Sequence, residues 1–211
     1  MRIPEPLFPN DDGLADPSLL SALASQDRYE IVAALSKSRV FVALLAELEG
    51  ETTSEMSLAW LVDGGIKALP VFSSIEAITT WNSNARPLGV DVQRAAIVAL
   101  SQGGIAVLDP GSAHPREIGA SALRALALGY EYLPPSIDPE VTSAISQALI
   151  DCLGPGIDFT ISGEAILEIT LSCSGSIPSQ EALSNFAAHL AGGDRIRLRL
   201  EAEVQIKIAR P

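Results

Sequence analysis

Val40-Phe41-Val42-Ala43-Leu44-Leu45 is a nearly unbroken apolar run of strand formers, and it predicts a central strand covered on both faces. A second stretch follows closely: Trp60-Leu61-Val62-Asp63-Gly64-Gly65-Ile66-Lys67-Ala68-Leu69-Pro70-Val71-Phe72. Met56, Leu58, Trp60 and Val62 alternate with Ser57, Ala59 and Leu61, and Asp63-Gly64 signals a hairpin before residues 66–72. Between the runs, Gly50-Glu51-Thr52-Thr53-Ser54 reads as a polar turn. Three antiparallel strands in a meander is the expected arrangement. Pro70 has no amide proton, so its strand is expected at an edge or with a bulge.

Working outward, the segment before these strands reads as an irregular arm and two short helices. Residues 1–17 carry Pro4, Pro6, Pro9 and Pro17. Ser18 opens the first helix, and Asp27-Arg28-Tyr29-Glu30 has the form of a capping box for a second, burying Ile31, Val32 and Leu35. After the strands, Ser74 caps a helix through Trp81, and residues 82–87 read as a loop. Asp91 caps a helix over 92–101, which Gln102-Gly103-Gly104 stops. Short strands at 105–108 and 116–118 and a helix over 120–128, ended by Gly129, close the unit. Tyr130-Glu131-Tyr132-Leu133-Pro134-Pro135-Ser136-Ile137-Asp138-Pro139 follows with no regular period and reads as a linker.

The remainder predicts a helix from Asp138 or Pro139 to Cys152, strands over 157–162 and 166–174, a helix over 179–190, and a long final strand over 195–208. In that last segment Ile196, Leu198, Leu200, Ala202, Val204, Ile206 and Ile208 alternate with polar residues. The fold class is therefore α+β. A domain over 1–133 has a mixed or antiparallel sheet with helices. A smaller one over 134–211 has the order α-β-β-α-β, similar to a ferredoxin-like unit lacking its first strand.

Composition narrows the function. The 211 residues are 47% hydrophobic and 5% aromatic, so alanine and aliphatic side chains must supply the core. A net charge of -12 disfavours nucleic acid as a partner. Mean hydropathy is +0.28, yet the longest apolar run, residues 40–46, is far short of the roughly 20 residues a spanning helix needs. No membrane association is expected. Met1-Arg2-Ile3-Pro4-Glu5-Pro6 lacks a signal-peptide layout, which makes the cytoplasm the expected location. Cys152 and Cys173 read as reduced core thiols.

Candidate chemistry is sparse. His114 and His189 stand without ligand-spaced neighbours, and no phosphate-cradling loop or nucleophile elbow occurs, so neither metal nor cofactor is expected. Arg195, Arg197 and Arg199, on one face of the expected strand, would suit a polyanion or acidic peptide. Alternatively they pair with Glu168, Thr170 and Ser172 on the neighbouring strand. Asp63 and Lys67 could form an acid/base pair, or serve the hairpin turn and guard an edge strand. Trp81 with Arg86 could form a ligand platform, or Trp81 could pack as core.

The second stretch, continued by Ser73-Ser74-Ile75-Glu76-Ala77-Ile78, Trp81 and Ala85-Arg86-Pro87, resembles the signature of the SseB N-terminal-domain family. Members are often labelled enhanced serine sensitivity proteins, and many are actinobacterial. The resemblance covers roughly residues 33–129, with Asp109-Pro110 also fitting, and the tail from Pro134 is loosely similar to the family's second domain. Gly65-Ile66, Ser73 and Gly89 depart from the usual pattern. The resemblance carries no catalytic residues with it. Three readings stand: a non-enzymatic binding or regulatory module for a protein or small metabolite, using Trp81 and Arg86; an enzyme of amino-acid metabolism using Asp63, Lys67, Arg86 and Asp109; or a homo-oligomeric scaffold joined through the Pro70 edge strand or the final strand. A pocket of polar groups favours the enzyme, and a large exposed apolar patch favours the scaffold.

Overall fold

In the computed structural model the first apolar run becomes β1 (Arg39–Glu49), the strand around which the N-terminal unit is assembled. The structure describes residue 8 and residues 11–49, 53–163, 166–173, 177–200 and 203–209. Most of the expected arm, residues 50–52 of the expected polar turn and residues 201–202 of the expected last strand lie outside the described residues. The chain divides into two compact units, Met1–Tyr132 and Leu133–Pro211.

β1 is a hub rather than the first strand of a meander. It pairs antiparallel with β2 (Thr53–Leu58) over Leu44–Glu49, with β4 (Ile66–Phe72) at Phe41 and Val42, and with β5 (Arg86–Asp91) over Arg39–Leu44. Leu44 is matched to both Leu58 and Arg86, and Phe41 to both Phe72 and Gly89. β5 therefore holds one edge of β1, while β2 and β4 share the other at different heights. The expected strand over 56–62 breaks at Ala59-Trp60. The Ala59 amide still donates to the Ala43 carbonyl at 2.9 Å, and the chain then leaves to form β3 (Leu61–Asp63), which hairpins with β4. The hairpin's central residues are Gly64 and Gly65, with φ of 54° and 84°, and Asp63 is the last strand residue, opposite Ile66.

β4 runs parallel to β6 (Ala106–Leu108), which pairs antiparallel with β7 (Arg116–Ile118). β4 is thus an interior strand, and the expected Pro70 edge is overturned, together with the self-association contact through it. Pro70 fits there for a geometric reason. The Leu69 amide donates to Ile105 and the Asp109 amide to Val71, so residues 69 and 71 carry the ladder to β6. The nitrogen of residue 70 points the other way, where β4 has already parted from β1, so no bond is lost.

Successive residues of β1 serve two layers. Val40 and Val42, with Leu69, Val71 and Leu108, face α1 (Pro17–Ser25), α2 (Arg28–Leu35), α4 (Val92–Gln102) and α5 (Ala120–Leu128). Phe41, Ala43 and Phe72 face Ile78 of α3 (Ile75–Trp81). Both faces are covered, which is why the run is continuously apolar. Ala95, Ala96 and Ala99 of α4, with Ala122 and Ala125 of α5, lie in the main core. These small side chains let helix backbones come close, which is how a core poor in aromatics reaches native density.

Four local readings change. Asp16, not Ser18, caps α1, accepting from the Ser18 amide with Pro17 in the first helical position. Asp27 caps α2, but Glu30 accepts from the Ser25 hydroxyl, so only half of the capping box forms. Asp91 occupies the N-cap of α4 without a side-chain cap bond. β5 takes the last two residues of the loop expected over 82–87 and runs on to Asp91, where no strand was expected. Pro87 and Gly89 disguise it, yet both are tolerable on a strand paired along one edge, and the Phe41 ring fills the space above Gly89, 3.4 Å from where a Cβ would stand.

The second unit contains α6 (Pro139–Leu153), β8 (Ile157–Ser162), β9 (Ile166–Cys173), α7 (Gln180–Gly192), α8 (Asp194–Arg199) and β10 (Glu203–Ile208). The sheet order is β10-β9-β8, with β9 and β10 adjacent and parallel and β8 antiparallel to β9. Val141, Ile145 and Leu149 pack on Leu167, Ile169, Leu171, Phe186 and Leu190. The expected strand over 195–208 is corrected: residues 194–199 are helical and the strand begins at Glu203. Gly193 sits at the N-cap, and Asp194 in the first turn with Arg197 and Arg199 in the last complements the helix dipole. Ile196 alone of this helix is buried, so the two-residue alternation there does not mark a sheet face.

Candidate functional site

The arginine row dissolves with its strand. Helical spacing puts Arg195 and Arg199 on one side of α8 and Arg197 on the other. Arg195 lies 3.9 Å from Glu140, and Arg197 lies 3.6 Å from Asp194, all on exposed side chains. Arg199 donates to the second carboxylate oxygen of Asp138 at 2.6 Å. The first oxygen of Asp138 caps α6 by accepting from the Glu140 and Val141 amides. Asp138 is 2% exposed, so Arg199 neutralises a buried helix cap. The expected cross-strand partner Glu168 is taken by Lys207 instead, at 2.6 Å.

The four charges assigned to an enzymatic site do not meet. Asp63 and Lys67 are exposed on the β3–β4 hairpin. Asp109 lies beyond the far end of β4, beside Ser73, and six residues of strand separate Lys67 from Ser73 by about 20 Å. Arg86 is exposed on β5, across the opposite edge of β1. Trp81 packs as core: its ring lies 5.3 Å from that of Phe72 at 49°, and Gly111 closes over it. Cation-π contacts among the described residues involve Arg28 and Arg39, not Arg86.

Asp109 is a clamp between the carboxyl ends of two parallel strands. One oxygen accepts from the Ser73 amide and the other from the Ser73 hydroxyl, each at 2.8 Å, while its own amide donates to Val71. Its φ of 49° is left-handed, a conformation Asp tolerates better than most residues. Burial pushes the carboxyl above its usual range, and the two bonds from Ser73 offset part of that shift.

A cleft of ≈ 580 Å³ lies elsewhere in the first unit. Lys37, Ser38 and Arg39 line it where α2 gives way to β1, Asp91, Val92 and Gln93 where β5 gives way to α4, and Leu126, Tyr130, Glu131 and Tyr132 where α5 ends. Gln93 closes one wall by donating to the Ala127 carbonyl at 2.8 Å. Tyr132 is held edgewise by its neighbours: its ring lies 5.2 Å from that of Tyr29, Arg28 sits over both rings and donates to its hydroxyl, and Ser121 lies 3.2 Å from that hydroxyl. Lys37, Asp91 and Glu131 are exposed at the rim, and no ion pair among the described residues engages them.

None of the candidate site residues read from the sequence lines this cleft. Two signals pointed to it. Lys37-Ser38-Arg39 immediately precedes the central strand, and all three tyrosines of the chain, Tyr29, Tyr130 and Tyr132, gather here. Tyr130 and Tyr132 were hidden inside a stretch that reads as linker. Among the described residues no three His, Cys, Asp or Glu side chains are grouped to hold a metal ion, and no helix is long and apolar enough to cross a membrane.

Comparison with curated proteins and with solved structures finds no significant match. The SseB protein N-terminal domain family matches residues 18–125, just over half of the chain, from the first turn of α1 into α5. That span contains the β1 hub, the Gly64-Gly65 hairpin, the Ser73–Asp109 clamp and most of the cleft, and the chain belongs to the SseB protein N-terminal domain family.

Proposed function

We propose that this chain is a cytoplasmic binding or regulatory module, without chemistry of its own, and that its ligand is a small metabolite seated in the cleft between α2, α4 and the end of α5. The cleft's ≈ 580 Å³ carries the reading, since it falls in the range of small-molecule sites. Its lining suits a ligand with an apolar body and charged ends: Val92, Leu126 and Tyr132 offer apolar contact, and Lys37, Asp91 and Glu131 bring both signs of charge. This moves the binding site away from Trp81 and Arg86. The free thiols Cys152 and Cys173 fit a reducing compartment.

Native mass spectrometry of protein purified gently from its host, followed by thermal-shift assays with the ligand identified, tests this. Ala33 lines the cleft from the exposed side of α2, so Ala33→Trp fills the cleft without entering the core. A ligand at a hundred times its Kd should stabilise the wild-type first unit by about 2.7 kcal/mol and leave Ala33→Trp nearly unshifted. Equal binding by both proteins, or no metabolite of any class bound at micromolar concentration, refutes the proposal.

A further inference from the structure

Arg39, on the cleft wall, is also the anchor of a segment that precedes the first helix. Its Nε and Nη2 grip the two carboxylate oxygens of Asp11, Nη1 donates to the Ser73 carbonyl at 2.8 Å, and Nη2 also donates to the Leu14 carbonyl. The guanidinium lies 4.2 Å from the centre of the Phe41 ring, whose face helps hold the fork toward Asp11. Hydrogen bonding from Arg39 holds the Asp11 carboxyl below its usual range. A second anchor sits two residues on. Gly13 is buried with φ 77°, its carbonyl accepts from the Ile75 amide at 2.9 Å, and a Cβ there would stand 2.6 Å from the Ile75 side chain.

Between residues 11–17 and the Lys37-Ser38-Arg39 turn lies a second cavity of ≈ 540 Å³. It shares Phe8, Lys37, Ser38 and Arg39 with the cleft, so the two cavities lie on either side of that turn, and the anchored segment walls the outer one. We propose that residues 11–16 are a strap over this second cavity beside the ligand site, latched by the Asp11–Arg39 pair, and that release of the latch opens the cleft's Lys37-Ser38-Arg39 wall at Ser38. This rests on the cleft being the ligand site, and it assigns regulation of access to a bidentate ion pair rather than to a moving domain.

The test needs no ligand. Ser38 is 8% exposed and borders both cavities, so a thiol placed there reports access. In a protein carrying Ser38→Cys with Cys152→Ser and Cys173→Ser, the rate of alkylation by iodoacetamide is measured with and without Asp11→Asn. Amide exchange at Ile75 is followed in parallel. Loss of charge-assisted bonds to Arg39 should speed both by about ten- to a hundredfold. Arg39→Lys, which keeps the charge and loses the fork, should give a smaller rise. An unchanged alkylation rate overturns the strap, and unchanged Ile75 exchange overturns the latch. Tryptophan fluorescence and far-UV circular dichroism establish that the variants are folded. Faster alkylation in a protein that binds no metabolite would sustain the strap while removing the ligand reading.

Discussion

Replacing Asp109 by alanine strips Ser73 of two buried hydrogen bonds, those of its amide and its hydroxyl, each 2.8 Å to a carboxylate oxygen. Hydrogen bonds to charged acceptors contribute about 1.5–3 kcal/mol each. Alanine in the left-handed conformation at φ 49° adds about 1 kcal/mol. Relief of the carboxylate's burial offsets part of this, so the expected loss is about 3 kcal/mol. Asp109→Asn behaves differently, because Asn tolerates the left-handed region, still accepts from the Ser73 amide and carries no charge to desolvate. It should lie within about 1 kcal/mol of wild type at neutral pH. The pH dependence follows from the raised folded-state carboxyl. Between its ordinary and its raised value the native state holds the proton more tightly than the unfolded chain, so wild-type stability at this site falls as pH rises through that window. Asp109→Asn should therefore gain on wild type from acid to neutral pH and level off above the window. Both tryptophans, Trp60 and Trp81, belong to the first unit, so urea unfolding followed by their fluorescence reads that unit alone. A loss below 0.5 kcal/mol for Asp109→Ala, or an Asn variant that loses ground with rising pH, would refute the clamp.

Arg199→Met leaves the Asp138 carboxylate, with a side chain 3% exposed, without its cation, and should destabilise the second unit by about 3–5 kcal/mol. Hydrogen exchange of the Val141, Ile145 and Leu149 amides checks this; unchanged protection would show the pair to be incidental. Gly103→Ala places a Cβ 2.7 Å from the Lys67 carbonyl oxygen, an overpacking expected to cost about 1–3 kcal/mol by urea unfolding of the first unit.

What was legible in the sequence followed the strength of the local signal. The 40–45 run had one physical reading, a strand buried on both faces, and β1 is that strand. Asp27, Ser74 and Asp138 announce helix starts because a cap is a property of a few adjacent residues, and each accepts the amide bonds expected of it. Strand pairing was less visible. Nothing local to residues 53–72 says that β2 and β4 share one edge of β1, because that depends on β5 holding the other. β5 itself was masked by Pro87 and Gly89, whose cost is met by an edge position and by the Phe41 ring. At residues 195–199 the two-residue alternation reads as a sheet face, although Gly193 and Asp194 supply the start of a helix. The site was least legible of all, since Lys37, Asp91 and Tyr132 come together only when one helix start and two helix ends converge.

The placement of β1 at the centre of the sheet also bears on how the chain leaves the ribosome. Phe41 finds its partners Phe72 and Gly89 only after roughly thirty and fifty further residues have been made. At ordinary translation rates the apolar run therefore waits some two to ten seconds before β5 can cover its second edge. For that interval its second edge stays open and aggregation-prone, even though β2 and then β4 can already pair with the first. A chain arrested with residues up to about 80 exposed should remain protease-sensitive across β1, and one extended through Leu128 should be protected; equal protection of the two would show that β1 is sheltered before its sheet is complete.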